Sequence, residues 1–241
     1  MKKIIFKKIS FINLNSNKFN DLIIKKGLFV FPSAPGLANI ENNSKYYNSL
    51  KKADYVFFDS GFFVLLLKIF KNINVNKFSG YKFLRFFFKY LKINKDKSIF
   101  CIDPNKKVSK SNSRYFKNLG IKKIYNHISP VYDVNNLTDK HLLKKIKKLK
   151  PNFILTNVGG GTQEILGLYL KKNLKFKTTI LCTGGAISFF TGEQAPINDF
   201  IDKFFLGLIV RFFFNPLLFY KRFFNGLKLL PMVLNNKVKV K

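Results

Sequence analysis

Histidine, cysteine, tryptophan and acid are all scarce in this 241-residue chain, and each scarcity removes a class of function. The two cysteines, Cys101 and Cys182, each lie inside an apolar run. They exclude a disulfide scaffold and suit a reducing compartment. With His127 and His141 as the whole histidine complement and no Cys/His cluster, a structural zinc site lacks ligands. No spacing suggests a Ser-His-Asp arrangement, which argues against nucleophilic hydrolysis. His127 reads as structural or solvated, and His141 lies on a Lys-rich helix face. No clean apolar stretch reaches the length of about 18 residues that a spanning helix needs. Residues 56–70 contain Asp59 and Lys68, and 204–219 are broken by Arg211 and Pro216. Residues 1–10 carry basic residues, but their apolar pieces are short and no small-residue cleavage site follows, so a secretory signal is not expected.

What the chain does have is positive charge and phenylalanine. Acidic residues number 12 against 44 Lys+Arg, a formal net charge of +32, yet 47% of the chain is hydrophobic and 30 residues are Phe. A disordered basic tail lacks such apolar content, so a packed core is expected. The charge invites nucleic acid as a partner through counterion release. Its composition points elsewhere: Arg85, Arg114, Arg211 and Arg222 are the arginines, and every other basic residue is Lys. Bidentate recognition of phosphates and base edges favours the guanidinium fork. Asn and Ile are also abundant, as the codons of an A+T-rich genome would impose. Much of the charge is therefore read as solvated background, with the remainder suited to an anionic membrane or a phosphate-bearing substrate.

Apolar runs bounded by Gly, Pro or Asn alternate with Lys-rich helical patterns. Strands are predicted at 27–31, 54–58, 98–102, 122–125, 152–158 and 178–182, and helices at 38–52, 62–70, 109–119, 138–149 and 162–172. Such alternation predicts an α/β fold, a Rossmann-like parallel sheet with helices on both faces. Ligands in such sheets sit at the carboxyl ends of the strands. From Asp199 onward the chain turns apolar and aromatic with interspersed cations. Residues 1–196 are thus expected to form the α/β core, and 197–241 a helical, basic and aromatic appendage that associates with a membrane.

Four strand ends attract chemistry. Phe58-Asp59-Ser60-Gly61 places a carboxylate where it is either a helix N-cap or a general base. Val158-Gly159-Gly160-Gly161-Thr162-Gln163-Glu164 puts a glycine loop ahead of a helix, as a tight turn or as a cradle for an anion. It is neither G-x-G-x-x-G nor a Walker loop. Cys182-Thr183-Gly184-Gly185-Ala186 is either a close approach to a ligand or a loop packed on its neighbour. The fourth, Phe31-Pro32-Ser33-Ala34-Pro35-Gly36, fits any turn.

Taken in order, these loops resemble the WecG/TagA/CpsF glycosyltransferase family (glycosyltransferase family 26) over about residues 27–222. The sequence runs Ala53-Asp54 then Asp59-x-Gly61, Gly80, Gly161-x-Gln163-Glu164, Gly184-Gly185-Ala186 with Gly192 and Ala195-Pro196, then Arg211 and Asn215-Pro216. The resemblance implies an inverting transferase carrying an N-acetylmannosamine-type sugar, its uronic acid or glucose. It implies a uridine diphosphate sugar donor and a polyprenyl-diphosphate-linked saccharide acceptor, in surface polysaccharide synthesis at the cytoplasmic membrane face. On this alignment Asp59 matches the general base, Gln163 and Glu164 match the pair near the donor, and Lys77 stands where the family usually has Arg. Arg211 and Arg222 match C-terminal basic residues that approach the diphosphate and dock the protein on the bilayer. Ser33, Gly159, Gly160, Gly161, Gly184 and Gly185 complete the expected substrate-binding set. No Asp-x-Asp pair is present to hold a metal, so no cofactor is expected and the nucleotide sugar enters as substrate. Departures from the pattern include Ser60 for Gly, Ser33 for Asn, Lys82 for an acid, Ser188 for Asp, Gln194 for Arg and Gly207-Leu208 for Glu-Trp. They bear on which sugar is carried. Two readings from other classes stand beside this one: a catalytically degenerate, membrane-associated scaffold, and a Lys-rich nucleic-acid-binding protein, the latter disfavoured because the Phe residues sit in core-like runs.

Overall fold

Short runs of β-branched and aromatic residues, cut off by polar residues, pair among the described residues into one sheet of nine strands. The computed structural model describes residues 2–193 and 216–241, with the backbone alone for 216–219. A hairpin of β1 (Lys3–Phe6) and β2 (Ile9–Ile12) comes first, then the short helix α1 (Phe19–Ile23). Next are β3 (Gly27–Val30), α2 (Ala34–Ala38), α3 (Ser44–Lys52), β4 (Tyr55–Phe57), α4 (Gly61–Lys71) and α5 (Gly80–Ile93). Strict alternation follows in β5 (Ser98–Asp103), α6 (Lys106–Asn118), β6 (Lys123–Ile128), α7 (Lys140–Leu149), β7 (Phe153–Thr156), α8 (Thr162–Asn173) and β8 (Thr179–Cys182). A 3-10 turn over Gly184–Ile187 leads to α9 (Ser188–Thr191). The last elements are α10 (Pro216–Leu227), α11 (Leu229–Asn235) and β9 (Val238–Val240).

The strand order is β6-β5-β7-β8-β3-β4-β2-β1-β9. All pairs from β6 to β2 are parallel, and the β1–β2 and β1–β9 pairs are antiparallel. The α/β class is as expected, and the carboxyl ends of β3, β4, β5, β7 and β8 lie along one edge. Alternate side chains feed two cores. Leu28, Val30, Ile180 and Cys182 face α3, α4, α7 and α8, whereas Phe29, Phe57, Leu155 and Leu181 face α1, α5 and α6. The second core is an aromatic lattice in which Phe31 stacks on Phe57 at 4.7 Å and Phe83 stands edge-on to Phe31 at 5.0 Å.

Local structure departs from the sequence reading in three places. The helix expected at 38–52 is two helices, because Asn43 starts a new one by accepting a bond from the Tyr46 amide at 2.9 Å. Helix α5, unforeseen, starts at the Ser79 cap and buries Phe83, Leu84, Phe87, Phe88 and Leu91. The opening hairpin turns on Lys7 and Lys8, both left-handed at φ 48° and 59°, without the Asn-Gly signal such turns favour.

The expected boundary near residue 196 lies outside the described residues. Of the segment after it, Leu229 and Val233 are buried in the same core as β3 and β8, and β9 pairs with β1. Helix α10 packs on α2, where Gly226 lies against Ala34 and Pro35. Among the described residues no helix is long and apolar enough to cross a membrane.

Candidate active site

Each parallel strand along the shared edge ends in a loop, and the loops after β3, β4, β7 and β8 meet. The Asp59 carboxylate stands just beyond β4. It does not cap the helix that follows it, since Ser60 does so by accepting the Phe63 amide at 3.1 Å. Asp59 Oδ1 instead accepts the amide of Gly80, at the start of α5, at 2.8 Å. A residue 21 positions away thus fixes the carboxylate, which is half-buried at the strand edge. Lys77 precedes Phe78, whose amide bonds to the Phe58 carbonyl at 2.9 Å, so the segment carrying Lys77 docks on the same strand end.

The glycine loop after β7 is built differently at its two ends. Gly161 has φ +89°, a conformation that a side chain would strain, and it opens α8. Gly159 and Gly160 are exposed, and a Cβ on either would meet no atom within 4 Å, so packing does not require glycine there. Both stand at the positive end of a twelve-residue helix, and the Gly159 carbonyl accepts the Gln163 main-chain amide at 3.1 Å.

Behind the loop, Gln163 and Glu164 are buried. Glu164 accepts from the Gly161 amide at 2.7 Å and from Gln163 Nε2 at 2.9 Å. Burial pushes its carboxyl up to about 7, and the negative Asp59 adds to this, against the opposing hydrogen bonds. The turn after β8 closes the group: Gly184, at φ +54°, lies where a Cβ would sit 3.2 Å from the Gln163 amide. Here Gly184 serves packing on its neighbour, while Gly185 is exposed. Gln163 Oε1 and Thr183 Oγ1 are buried with no hydrogen-bond partner among the described residues.

Two further buried groups belong to this site: Tyr46, which carried no local signal in the sequence, and Cys182, which the sequence placed only at a strand end. The Tyr46 hydroxyl is seated so close to Gly36 that a Cβ there would lie 2.6 Å away. Its ionisation is pushed well up, chiefly by burial and then by the charges of Glu164, Asp59 and Cys182. Cys182 donates to the Gln163 carbonyl at 3.2 Å, and its thiol is likewise pushed up by burial, then by Glu164. These links join Ser33, the exposed cap of α2 whose Oγ lies 3.4 Å from the Gly36 Cβ position, to the Glu164 side of the group.

Asp59, Gln163, Glu164, Gly161 and Gly184 therefore form one constellation, with Ser33 at its margin and Gly159, Gly160 and Gly185 on its open side. Arg222 lies on α10, exposed, one turn before the Gly226 contact to the start of α2. Arg211 lies outside the described residues. His127 is elsewhere, on β6, with Nε2 3.4 Å from Asp139 Oδ2; burial pushes its pKa down.

Comparison with known protein families shows that the model of the glycosyl transferase WecG/TagA/CpsF family matches residues 5–241. No curated protein sequence matches the chain significantly.

Proposed function

The chain belongs to the WecG/TagA/CpsF glycosyl transferase family, which makes it a glycosyltransferase of polysaccharide biosynthesis, and from that premise we propose its donor, acceptor and chemistry. The donor is a uridine diphosphate sugar of the N-acetylmannosamine type, its uronic acid or glucose. The acceptor is a saccharide on a polyprenyl diphosphate, met at the cytoplasmic face of the cell membrane. The reaction inverts the anomeric centre. Asp59 takes the proton of the acceptor hydroxyl as its oxygen attacks the anomeric carbon, and the bond from that carbon to the diphosphate oxygen breaks. The departing diphosphate needs positive charge or oriented amides. The amides of Gly159 and Gly160, the start of α8, Lys77, Arg211 and Arg222 supply them.

The observation that supports this reading best is the setting of Asp59. Its carboxylate is oriented by the Gly80 amide at 2.8 Å and is electrostatically linked to the Glu164 behind the glycine loop. A base must hold one direction relative to the acceptor, and a backbone donor on one oxygen provides it. Docking on the bilayer is assigned to α10, where Tyr220, Phe223, Phe224 and Leu227 are exposed beside Lys221 and Arg222.

Asp59→Asn preserves an acceptor for the Gly80 amide and removes the basic oxygen. Transfer should fall by roughly 10²–10⁴-fold while UDP affinity, read by calorimetry, stays within about twofold. Retained turnover would sink the assignment of the base. Mass spectrometry of transfer from a panel of uridine diphosphate sugars to a synthetic polyprenyl-diphosphate glycan identifies the sugar.

A further inference from the structure

A second strand-end aspartate lies near this site, buried rather than open. Asp103 ends β5 with no solvent exposure and accepts hydrogen bonds from three asparagine side chains. Asn112 on α6 and Asn157 beyond β7 each donate Nδ2 to Oδ1 at 2.7 Å, and Asn126 on β6 donates Nδ2 to Oδ2 at 3.1 Å. Its donors are neutral amides drawn from three different elements.

The arrangement is expensive. With their NH₂ groups turned to the carboxylate, Asn112 Oδ1 and Asn157 Oδ1 are left buried and without a partner among the described residues. An unsatisfied buried acceptor costs on the order of 1–3 kcal/mol, and an apolar junction of the same shape would avoid that cost. What the carboxylate provides instead is a fixed direction for each amide.

Asn157 is the residue that matters for the reaction. Its main-chain amide bonds to the Ile102 carbonyl at 2.8 Å, its side chain bonds to Asp103, and the next residue but one is Gly159. The far end of the same loop is held by Glu164 on the Gly161 amide. One carboxylate thus anchors each end of a run of three glycines. Glycine loses the most freedom on ordering, so a loop of this composition keeps its amides aimed only if its ends are fixed.

We propose that Asp103 is a positioning residue for the donor, holding the stem of the Gly159–Gly161 loop through Asn157 so that the Gly159 and Gly160 amides converge on the nucleotide diphosphate. This rests on the reading of that loop as the donor-diphosphate site.

The test is UDP binding by calorimetry, with donor and acceptor KM measured separately, on wild-type protein and on Asp103→Asn, Asn157→Ala and the swapped pair Asp103→Asn/Asn157→Asp. Loss of a hydrogen bond to a charged group predicts UDP binding weaker by about tenfold or more in Asp103→Asn. Donor KM should rise in step, while acceptor KM changes by less than about threefold. Because the same amides stabilise the departing diphosphate, kcat at saturating donor should fall. Backbone amide exchange across 158–161 should quicken. Asn157→Ala, which leaves Asp103 its other two donors, should show the same loss. The swapped pair restores a donor facing a carboxylate and should recover most of the affinity. Wild-type protein that binds no UDP takes down the donor reading and this inference together. Wild-type binding with unchanged affinity in Asn157→Ala overturns this inference alone, and so does a swapped pair that regains its melting temperature but not its UDP affinity.

Discussion

At the residue scale the site is defined by carboxylates in unequal settings. Asp59 stands half-buried at the edge, whereas Glu164 is enclosed and raised to about 7 by burial. That shift has a consequence for stability. An acid whose folded value exceeds its unfolded one binds more protons in the folded state, so its favourable contribution is present at low pH and lost as pH rises. From the ordinary value of 4.5 to about 7, ionising Glu164 in place removes roughly 3 kcal/mol. Glu164→Gln retains an acceptor for the Gly161 amide and cannot ionise. Denaturant titrations should therefore show the variant gaining on the wild type between about pH 4.5 and 7. Parallel pH profiles for the two proteins would mean that Glu164 is ionised without penalty. The aspartate before α4 looked equally suited to a cap in the sequence. Ser60 takes that role, which frees Asp59 to engage Gly80.

At the element scale, the position of α8 sets both the glycine loop and the Gln163-Glu164 pair. The helix approaches the sheet closely because Gly167 has no side chain: a Cβ there would lie 2.6 Å from Cys182 Sγ and 2.7 Å from Leu28 Cδ1. Gly167→Ala forces a shift of Cys182 and Leu28 or of α8 itself, and the expected outcome is that α8 moves away from β3 and β8. Overpacking of this kind costs about 1–3 kcal/mol, and thermal unfolding should drop by roughly 2–4 °C for each of those kcal/mol. UDP affinity should fall with it, since α8 carries the loop. An unchanged melting temperature would show that the helix accommodates the methyl group without moving. Helix α5 makes the complementary point. Its Ser79 cap was legible only in hindsight, because a lysine- and phenylalanine-rich stretch reads equally as core strand or helix until its buried face is known.

At the scale of the whole molecule, the proposed docking on a membrane draws on the net charge of +32 and on the exposed aromatic face of α10. Tyr220 and Phe224 have ring centroids 4.6 Å apart, with Lys221 and Arg222 on the same helix. Electrostatic attraction to acidic lipid is screened by salt, whereas apolar insertion is not. The protein should co-sediment with vesicles containing phosphatidylglycerol, and the double variant Phe223→Ser/Phe224→Ser should lose the fraction that survives high salt. Equal retention of variant and wild type would remove α10 from the docking surface. The C-terminal segment is also structural, since β9 pairs with β1 and α11 contributes Leu229 and Val233 to the core. The sequence reading treated it as an appendage because its composition changes abruptly, and composition says nothing of where a helix docks.

The sequence by itself determined the α/β class, the strand-end position of Asp59 and the glycine loops beyond β7 and β8. These depend on short-range rules: apolar runs make strands, and a polar or glycine residue after one makes a loop on a known edge. Only the tertiary structure decided which loops share a site. The order β4-β3-β8-β7-β5 is not the chain order, so parallel pairing carries Gln163 to Gly184 and Asp103 to an asparagine 54 residues away. The same pairing hid Tyr46 and Asp103 from the sequence reading, although Asp103, like Asp59, stood at a strand end. Proximity of this kind is a property of sheet topology, and no local pattern encodes it.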